Sequence, residues 1–496
     1  MDWRSARRRM GLAVWHCGPT SSSIFFEGRL AKTMYFEQFY LGCLAHASYL
    51  LASGDEAVVV DPQRDVDLYL KAAHAQGVKI RYIFETHLHA DFVSGHRELA
   101  ARTGAKIYIG TRAGAQFPHV PVTEGFELAV GALRIRVLET PGHTPESICL
   151  VVVDQEKSND AWGVLTGDTL FLGDVGRPDL SREYTPAQLA GMLYDSLHGK
   201  LMPLADDVLV YPAHGAGSLC GRNMRAERSS TIGTERLTNY ALQIRSKDEF
   251  VSQLTQHLPV RPEYFSQDAE INRTGATALS DLPKLRRLAS ADLDRMLREG
   301  EIALDVRAGE EFAAGHVPGS VNIALSGQFA TWAGTVLGLK AHPVLIAESE
   351  EQLAEARVRL ARVGIEDLDG YLDGGVNAWK TAGFALATLT QISPAELSKQ
   401  LSQHRLQVLD VRREPEWEAG HIAGAAWWPL DHFKVSTPEI DRDAAIAVHC
   451  KSGYRSAIAC SLLLRAGFKT VTNVSGGFDA WQQAKLPFVS EKSVGA

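Results

Sequence analysis

Thr86-His87-Leu88-His89-Ala90-Asp91-Phe92 sets two imidazoles and a carboxylate within five residues. The preceding Arg81-Tyr82-Ile83-Phe84-Glu85 reads as a buried strand, and Val93 to Arg102 reads as a helix. Donors at the carboxyl end of a strand stand where open α/β sheets place their chemistry. Taken alone, His-x-His-x-Asp is equally a polar turn whose side chains satisfy one another, so the rest of the chain must decide.

Three more loops carry metal-capable residues. His143 lies in Thr140-Pro141-Gly142-His143-Thr144, directly after the alternating run Leu133 to Leu138. Asp168 lies in Leu165-Thr166-Gly167-Asp168-Thr169, where glycine lets the backbone turn the carboxylate inward. His214 follows the apolar run Val208 to Tyr211. Four strands, each followed by a His or Asp, are hard to read as core packing. Over Met34 to Asn272 this set resembles the metallo-β-lactamase fold, an αββα sandwich with its metal at one edge.

Phe92 departs from that pattern. In the two-metal hydrolases of the superfamily the motif runs His-x-His-x-Asp-His, and the last His serves a second ion. Phenylalanine has no lone pair to offer, which predicts one metal per chain. The resemblance to the persulfide dioxygenases of this fold implies Fe(II) held by His87, His143 and Asp168. Two His and one carboxylate with open positions suit non-haem Fe(II). His89, Asp91 and His214 would orient ligands or water around it. The alternative is zinc, with Phe92 packing beneath the site. Arg177 and Asp179, in Gly176-Arg177-Pro178-Asp179, are implied by the same resemblance to hold substrate or the pocket wall; a surface ion pair is the plainer reading. Cys220, six residues past His214, either meets the sulfur substrate or is a buried, inert thiol.

At 496 residues the chain needs several cores. A net charge of −8 without a basic stripe argues against nucleic acid, and no apolar run approaches the ~20 residues of a membrane span. Six scattered cysteines (Cys17, Cys43, Cys149, Cys220, Cys450 and Cys460) form no disulfide framework, so a cytoplasmic protein is expected. Residues 1–33, with Arg7-Arg8-Arg9, read as a disordered extension, and Met34 opens the folded protein. Glu227 to Leu258 reads helical. Residues 273–285 read as a linker, marked by Thr274-Gly275-Ala276-Thr277.

Behind it an internal repeat begins. Leu304-Asp305-Val306-Arg307 returns as Leu409-Asp410-Val411-Arg412, and Gly315-His316 as Gly420-His421, at an offset of 105. Each copy closes on Gly-Gly-x-x-Ala-Trp, ending at Trp379 and Trp481. Both copies, 286–384 and 389–488, resemble rhodanese domains. In the second, a buried strand Ala445 to His449 leads to Cys450-Lys451-Ser452-Gly453-Tyr454-Arg455-Ser456 and a helix from Ala457 to Leu464. A tight loop at a helix N-terminus aims N–H groups at one point and, with Arg455, favours a thiolate. Cys450 and Arg455 are therefore the expected catalytic pair, with Lys451, Ser452, Gly453, Tyr454 and Ser456 cradling an anionic sulfur substrate. The first copy puts Ala347 in place of Cys450, followed by Glu348-Ser349-Glu350-Glu351, and is expected to be an inactive scaffold.

The expected architecture is α/β and multidomain: a metallo-β-lactamase sandwich followed by two rhodanese-like domains. This order resembles the bacterial persulfide dioxygenase–rhodanese fusions. It implies oxidation of a low-molecular-weight persulfide by O2 to sulfite, then exchange of sulfane sulfur with sulfite and thiosulfate. A zinc thioester hydrolase of the glyoxalase II kind, fused to a sulfurtransferase, is the rival. The carrier thiol, the direction of transfer and homo-oligomer formation stay open.

Overall fold

The computed structural model describes residues 34–256, 258, 261–403 and 406–490; the expectation for residues 1–33 lies outside them. Two six-stranded mixed sheets open the fold. The first runs in order β1 (Tyr35–Leu41), β2 (His46–Ser53), β3 (Glu56–Val60), β4 (Lys79–Glu85), β5 (Lys106–Gly110) and β6 (Val120–Val122). The second contains β7 (Glu127–Val130), β8 (Leu133–Glu139), β9 (Ile148–Asp154), β10 (Gly163–Gly167), β11 (Leu209–Pro212) and β12 (Ser230–Thr231). Period-2 alternation is plain in β8, whose Leu133, Ile135 and Val137 are buried while Arg134 and Arg136 are exposed. Those residues face Tyr49, Leu51, Val58 and Phe84 across one apolar layer. Outside, α1 (Asp67–Gln76) and α2 (His96–Thr103) cover the first sheet, and α3 (Pro186–Ser196) covers the second. The result is an αββα sandwich.

Helix boundaries differ from the sequence expectation where backbone donors find other partners. Val93 N–H donates to Arg362 O, Ser94 N–H to Asn272 Oδ1 and Gly95 N–H to Pro62 O, so α2 begins only at His96. The single helical stretch expected over Glu227–Leu258 is instead β12 followed by α4 (Ile232–Thr238), α5 (Tyr240–Gln243) and α6 (Lys247–Thr255). Asn239 breaks it: its Oδ1 accepts the Ala241 N–H while Nδ2 donates to Phe171 O and Asp174 O. α7 (Tyr264–Thr274) then returns to the loop of His89 and Phe92 and runs into the stretch expected as linker.

Two five-stranded parallel sheets follow, with matching orders. In the first, β13 (Arg287–Leu288), β14 (Ala303–Asp305), β15 (Val321–Asn322), β16 (Val344–Ile346) and β17 (Gly370–Leu372) lie in order 13-17-16-14-15. In the second, β18 (Thr390–Ile392), β19 (Gln407–Asp410), β20 (Ala426–Trp427), β21 (Ala445–His449) and β22 (Thr470–Val474) lie in order 18-22-21-19-20. Asp305 pairs with Ile346 as Asp410 pairs with His449, which puts Ala347 in register with Cys450. The helix after Cys450 starts at Tyr454, earlier than the expected Ala457, because Gly453 at φ +103° turns the chain into it. One apolar cluster runs from Leu41, Phe92 and Tyr264 through Phe329 and Trp332 to Leu409, Ile446 and Cys460. The three units thus share a core.

Candidate metal centre and sulfur cradle

The expected donors His87, His143, Asp168 and His214 follow β4, β8, β10 and β11 respectively, and meet at one edge of the sandwich. His87, His143 and Asp168 are buried, with one donor atom each within 4.8 Å of the others. Asp168 Oδ2 lies 3.8 Å from His87 Nε2 and 3.4 Å from His143 Nε2. Both His143 Nε2 and Asp168 Oδ2 are buried without a hydrogen-bond partner. Orphaned buried donors converging in this way fit a cation, which would satisfy them together.

The opposite ring nitrogens are fixed. His143 Nδ1 is 2.9 Å from Arg177 O, which holds the tautomer that leaves the Nε2 lone pair free to face Asp168. Thr86 Oγ1 donates to Asp61 Oδ2 and accepts from His87 Nδ1 at 3.0 Å. Asp61 sits at φ +51°, a strained conformation for a non-glycine residue, held by the Thr86 N–H at 2.7 Å. Gly176 is needed for space: a Cβ there would stand 2.0 Å from Asp168 O.

Burial opposes charge on Asp168, yet His214, His87 and His143 together hold its carboxyl well below the usual range. Burial pushes His87 and His143 down, so both present neutral imidazole. His214 goes the other way. Burial resists its charge, but Asp168 and Asp91 raise it well above the ordinary imidazole value. Its Nδ1 is 2.7 Å from Asp168 Oδ1 and its Nε2 3.0 Å from Asp91 Oδ2, so it bridges the two carboxylates. His89 faces Asp61 Oδ1 at 3.2 Å and Glu85 Oε2 at 3.8 Å. A second donor group, His89, Asp91 and His214, remains beside the first.

Phe92 is fully buried, its ring 4.4 Å from that of His89 and 4.1 Å from that of His46. His46 escaped sequence reasoning. It has both ring nitrogens buried and unpartnered, and joins β2 to His214 through an isolated bridge. Asp61, Glu85 and Asn272 were missed as well. None stands in a motif, and only the fold brings them to the metal loop. Asn272 on α7 donates to both His89 O and Phe92 O at 2.7 Å.

Arg177 is buried, and pairs with Asp179 at 2.6 and 2.8 Å. This is therefore not a surface pair. Arg177 N–H also donates to Cys220 O, tying His143 to the Cys220 loop. Cys220 is buried, and its sulfur groups with Asp168 and His214. Burial, then Asp91 and Asp168, push its thiol well up.

The second centre surrounds Cys450, which is buried and accepts the Gly453 N–H at 3.1 Å. Lys451 and Ser452 are exposed at the rim. Arg455, on the first helical turn, is bound by Glu416 through two bonds of 2.7 Å. Tyr454 reaches across to Ala324 O of the first copy, and Ser456 turns back to Gly453 O. Cys460 is buried in the core.

Residues 41–214 match the metallo-beta-lactamase superfamily, and residues 289–382 and 393–484 each match the rhodanese-like domain. The human mitochondrial persulfide dioxygenase ETHE1 is 31% identical over 212 residues, 41% of this chain and 74% of the relative. A hydroxyacylglutathione hydrolase of Anaeromyxobacter dehalogenans is 38% identical over 168 residues, 34% of this chain and 60% of that relative. The crystal structure of a metallo-beta-lactamase from Staphylococcus aureus superposes with a TM-score of 0.62 at 31% identity, covering 68% of this chain and 98% of that one. The chain belongs to the metallo-beta-lactamase superfamily and carries two rhodanese-like domains behind that sandwich.

Proposed function

We propose that the chain oxidises a low-molecular-weight persulfide with O2 to sulfite and thiol at one Fe(II), and moves sulfane sulfur through Cys450 to or from thiosulfate. The supporting observation is the donor set. His87, His143 and Asp168 would together hold the ion, and Phe92, buried against His46 and His89, has no lone pair to offer a second one. Fe(II) held there would supply binding and activation of O2 beside a substrate sulfur. Around it, Arg177 and Asp179 brace the wall and hold His143 in its ligating tautomer. His214, as a cation between Asp91 and Asp168, steadies negative charge at the face where an anionic persulfide would approach.

In the rear unit, the Cys450 thiolate attacks the outer sulfur of a persulfide. The S–S bond of the donor breaks, and its electron pair leaves on the carrier thiolate. The Gly453 N–H at Cys450 Sγ and the Arg455–Glu416 pair on the first helical turn would cradle the product. Ala347 and its acidic neighbours leave the first copy without this chemistry. Cys149, Cys220, Cys450 and Cys460 are free thiols, which supports a reducing, cytoplasmic setting. Among the described residues no helix is long and apolar enough to cross a membrane.

Fe(II)-loaded chain mixed with glutathione persulfide and air is expected to consume O2 and form sulfite; no uptake would refute the oxygenase half. Cys450→Ser should abolish thiosulfate formation while O2 uptake continues. The second reading is a zinc thioester hydrolase, favoured by the likeness to the hydroxyacylglutathione hydrolase and by the donors His89, Asp91 and His214. Two tightly bound zinc ions per chain would select it.

A further inference from the structure

The helix that follows the sulfur cradle, Tyr454–Arg465, is fixed along one face to the first rhodanese-like unit. Tyr454 Oη donates to Ala324 O at 2.9 Å, and Ser461 Oγ accepts the Asn322 N–H at 3.0 Å. Arg465 donates to Gly319 O at 2.9 Å and to Gly300 O at 2.7 Å. Spacings of seven and four residues put all three on one helical stripe. Of the three, Tyr454 borders the cradle. It follows Gly453, whose N–H donates to Cys450 Sγ at 3.1 Å, and precedes Arg455, which Glu416 holds. The first unit is shaped to receive it. Gly327, at φ +101°, keeps clear a place where a Cβ would press on the Tyr454 ring at 3.3 Å. The buried Arg359 donates to Leu325 O and, at 2.8 Å, to Gly327 O, and so braces the turn after Ala324. The two copies do not share these features. With Arg362 matched to Arg465, an exposed Glu351 stands at the position of Tyr454, and Leu462 at the position of Arg359. The reaching side chain belongs to the copy with the cysteine, and the braced turn to the copy without it.

We propose that Tyr454 is a positioning residue for sulfur transfer, and that the first rhodanese-like unit completes the Cys450 cradle by holding its hydroxyl. The inference rests on the transfer through Cys450 proposed above and names what sets the geometry of the thiol loop. Gly453 lies at φ +103°, and a glycine backbone is free to turn, so its N–H points at the sulfur only while the residues after it are fixed. Two anchors fix them: Arg455 to Glu416 within the copy, and Tyr454 to Ala324 of its neighbour. An N–H aimed at the sulfur favours the thiolate and orients it for attack. Without the Tyr454 anchor the Gly453 peptide can rotate away from Cys450. Tyr454 thus acts through the loop, with its hydroxyl on a carbonyl of the other unit.

Tyr454→Phe in the full chain keeps the ring and removes only the hydroxyl. With thiosulfate as sulfur donor and cyanide as acceptor, kcat is expected to fall about tenfold while KM for thiosulfate stays unchanged. Alkylation of Cys450 by iodoacetamide, read by mass spectrometry of the peptide that carries it, should slow. Its pH profile should also move to higher pH, because the sulfur loses a donor. Ser461→Ala is the control, since it cuts the same interface two helical turns further on; its kcat and pH profile should match those of the unaltered chain. Unchanged kcat and profile in Tyr454→Phe overturn the positioning role. An equal loss in Ser461→Ala also overturns it, because the interface would then serve stability alone. A rise in KM at constant kcat does the same, because Tyr454 would then touch the substrate itself. If the unaltered chain forms no thiocyanate, the proposed sulfur transfer fails, while the alkylation profile still judges Tyr454.

Discussion

Phe92 occupies a position where chemistry and packing meet. Its ring lies against His46 and His89, within a few ångströms of donors that a second ion would use. Phe92→His returns a ring nitrogen to that place with a smaller side chain. Metal content after loading, measured by mass spectrometry, should rise from about one toward two ions per chain; unchanged content would show that Phe92 does not set the stoichiometry. His96 supplies a pH effect at the same scale. It is buried, its Nδ1 3.3 Å from Glu85 Oε1. Burial pushes Glu85 well up, with Asp61 adding to it, and burial pushes His96 down to about 3. Above pH 6.5 His96 is neutral folded and unfolded, so it contributes nothing to pH dependence. As pH falls below 6.5 the unfolded chain gains a proton that the folded chain refuses until about pH 3, and stability drops across that window. The slope is about 1.4 kcal/mol per pH unit. His96→Phe should therefore lose less stability than the unaltered chain between pH 7.5 and pH 5, by about 2 kcal/mol in urea denaturation. Parallel losses in the two proteins would place the acid sensitivity elsewhere.

The loop between β4 and α2 carries the metal motif, yet it is shaped by α7. Asn272 gives two hydrogen bonds to the carbonyls of His89 and Phe92 and takes one from Ser94 N–H. Asn272→Ala leaves three buried backbone groups unpaired. The loss should be about 2–4 kcal/mol of stability, together with weaker metal retention in a chelator competition. A thermal shift below 1 °C with unchanged metal affinity would show that the loop holds its shape unaided. This clamp also marks where sequence reading stops. The alternation in β8 and the apolar runs before His87, Asp168 and His214 are local signals, so the strands and their terminal donors could be read directly. The repeated Leu-Asp-Val-Arg runs similarly exposed the twin parallel sheets. His46 and Asn272 reach the site only because β2 and α7 come to it from distant parts of the chain. Helix ends were misplaced for a related reason. Asn239 and Arg362 compete for backbone groups through contacts that no local window contains.

Across the whole molecule, the first rhodanese-like unit lacks a cysteine but supplies structure to the metal domain. Arg362 pairs with Asp65 at 2.9 and 3.0 Å, and its carbonyl accepts the Val93 N–H beside the metal motif. Arg64, buried in the front sandwich, reaches Glu366 at 2.6 Å. Leu41, Leu44, Ala90, Phe92, Tyr264 and Phe265 share one apolar cluster with Phe329, Trp332 and Val336. Removing the rear units would open the floor beneath Phe92 to water and take from buried Arg64 its Glu366 carboxylate, leaving it only the Thr277 carbonyl. Residues 34–285 expressed alone should consequently unfold at a markedly lower temperature than the sandwich does within the full chain. They should also release their metal to chelator at least tenfold faster. In calorimetry of the full chain, the sandwich and the first rhodanese-like unit should melt in one transition, because exposing one face of the shared cluster exposes the other. A sandwich transition at the same temperature in the excised and full-length proteins would mean that the first rhodanese-like unit contributes no stability to the sandwich.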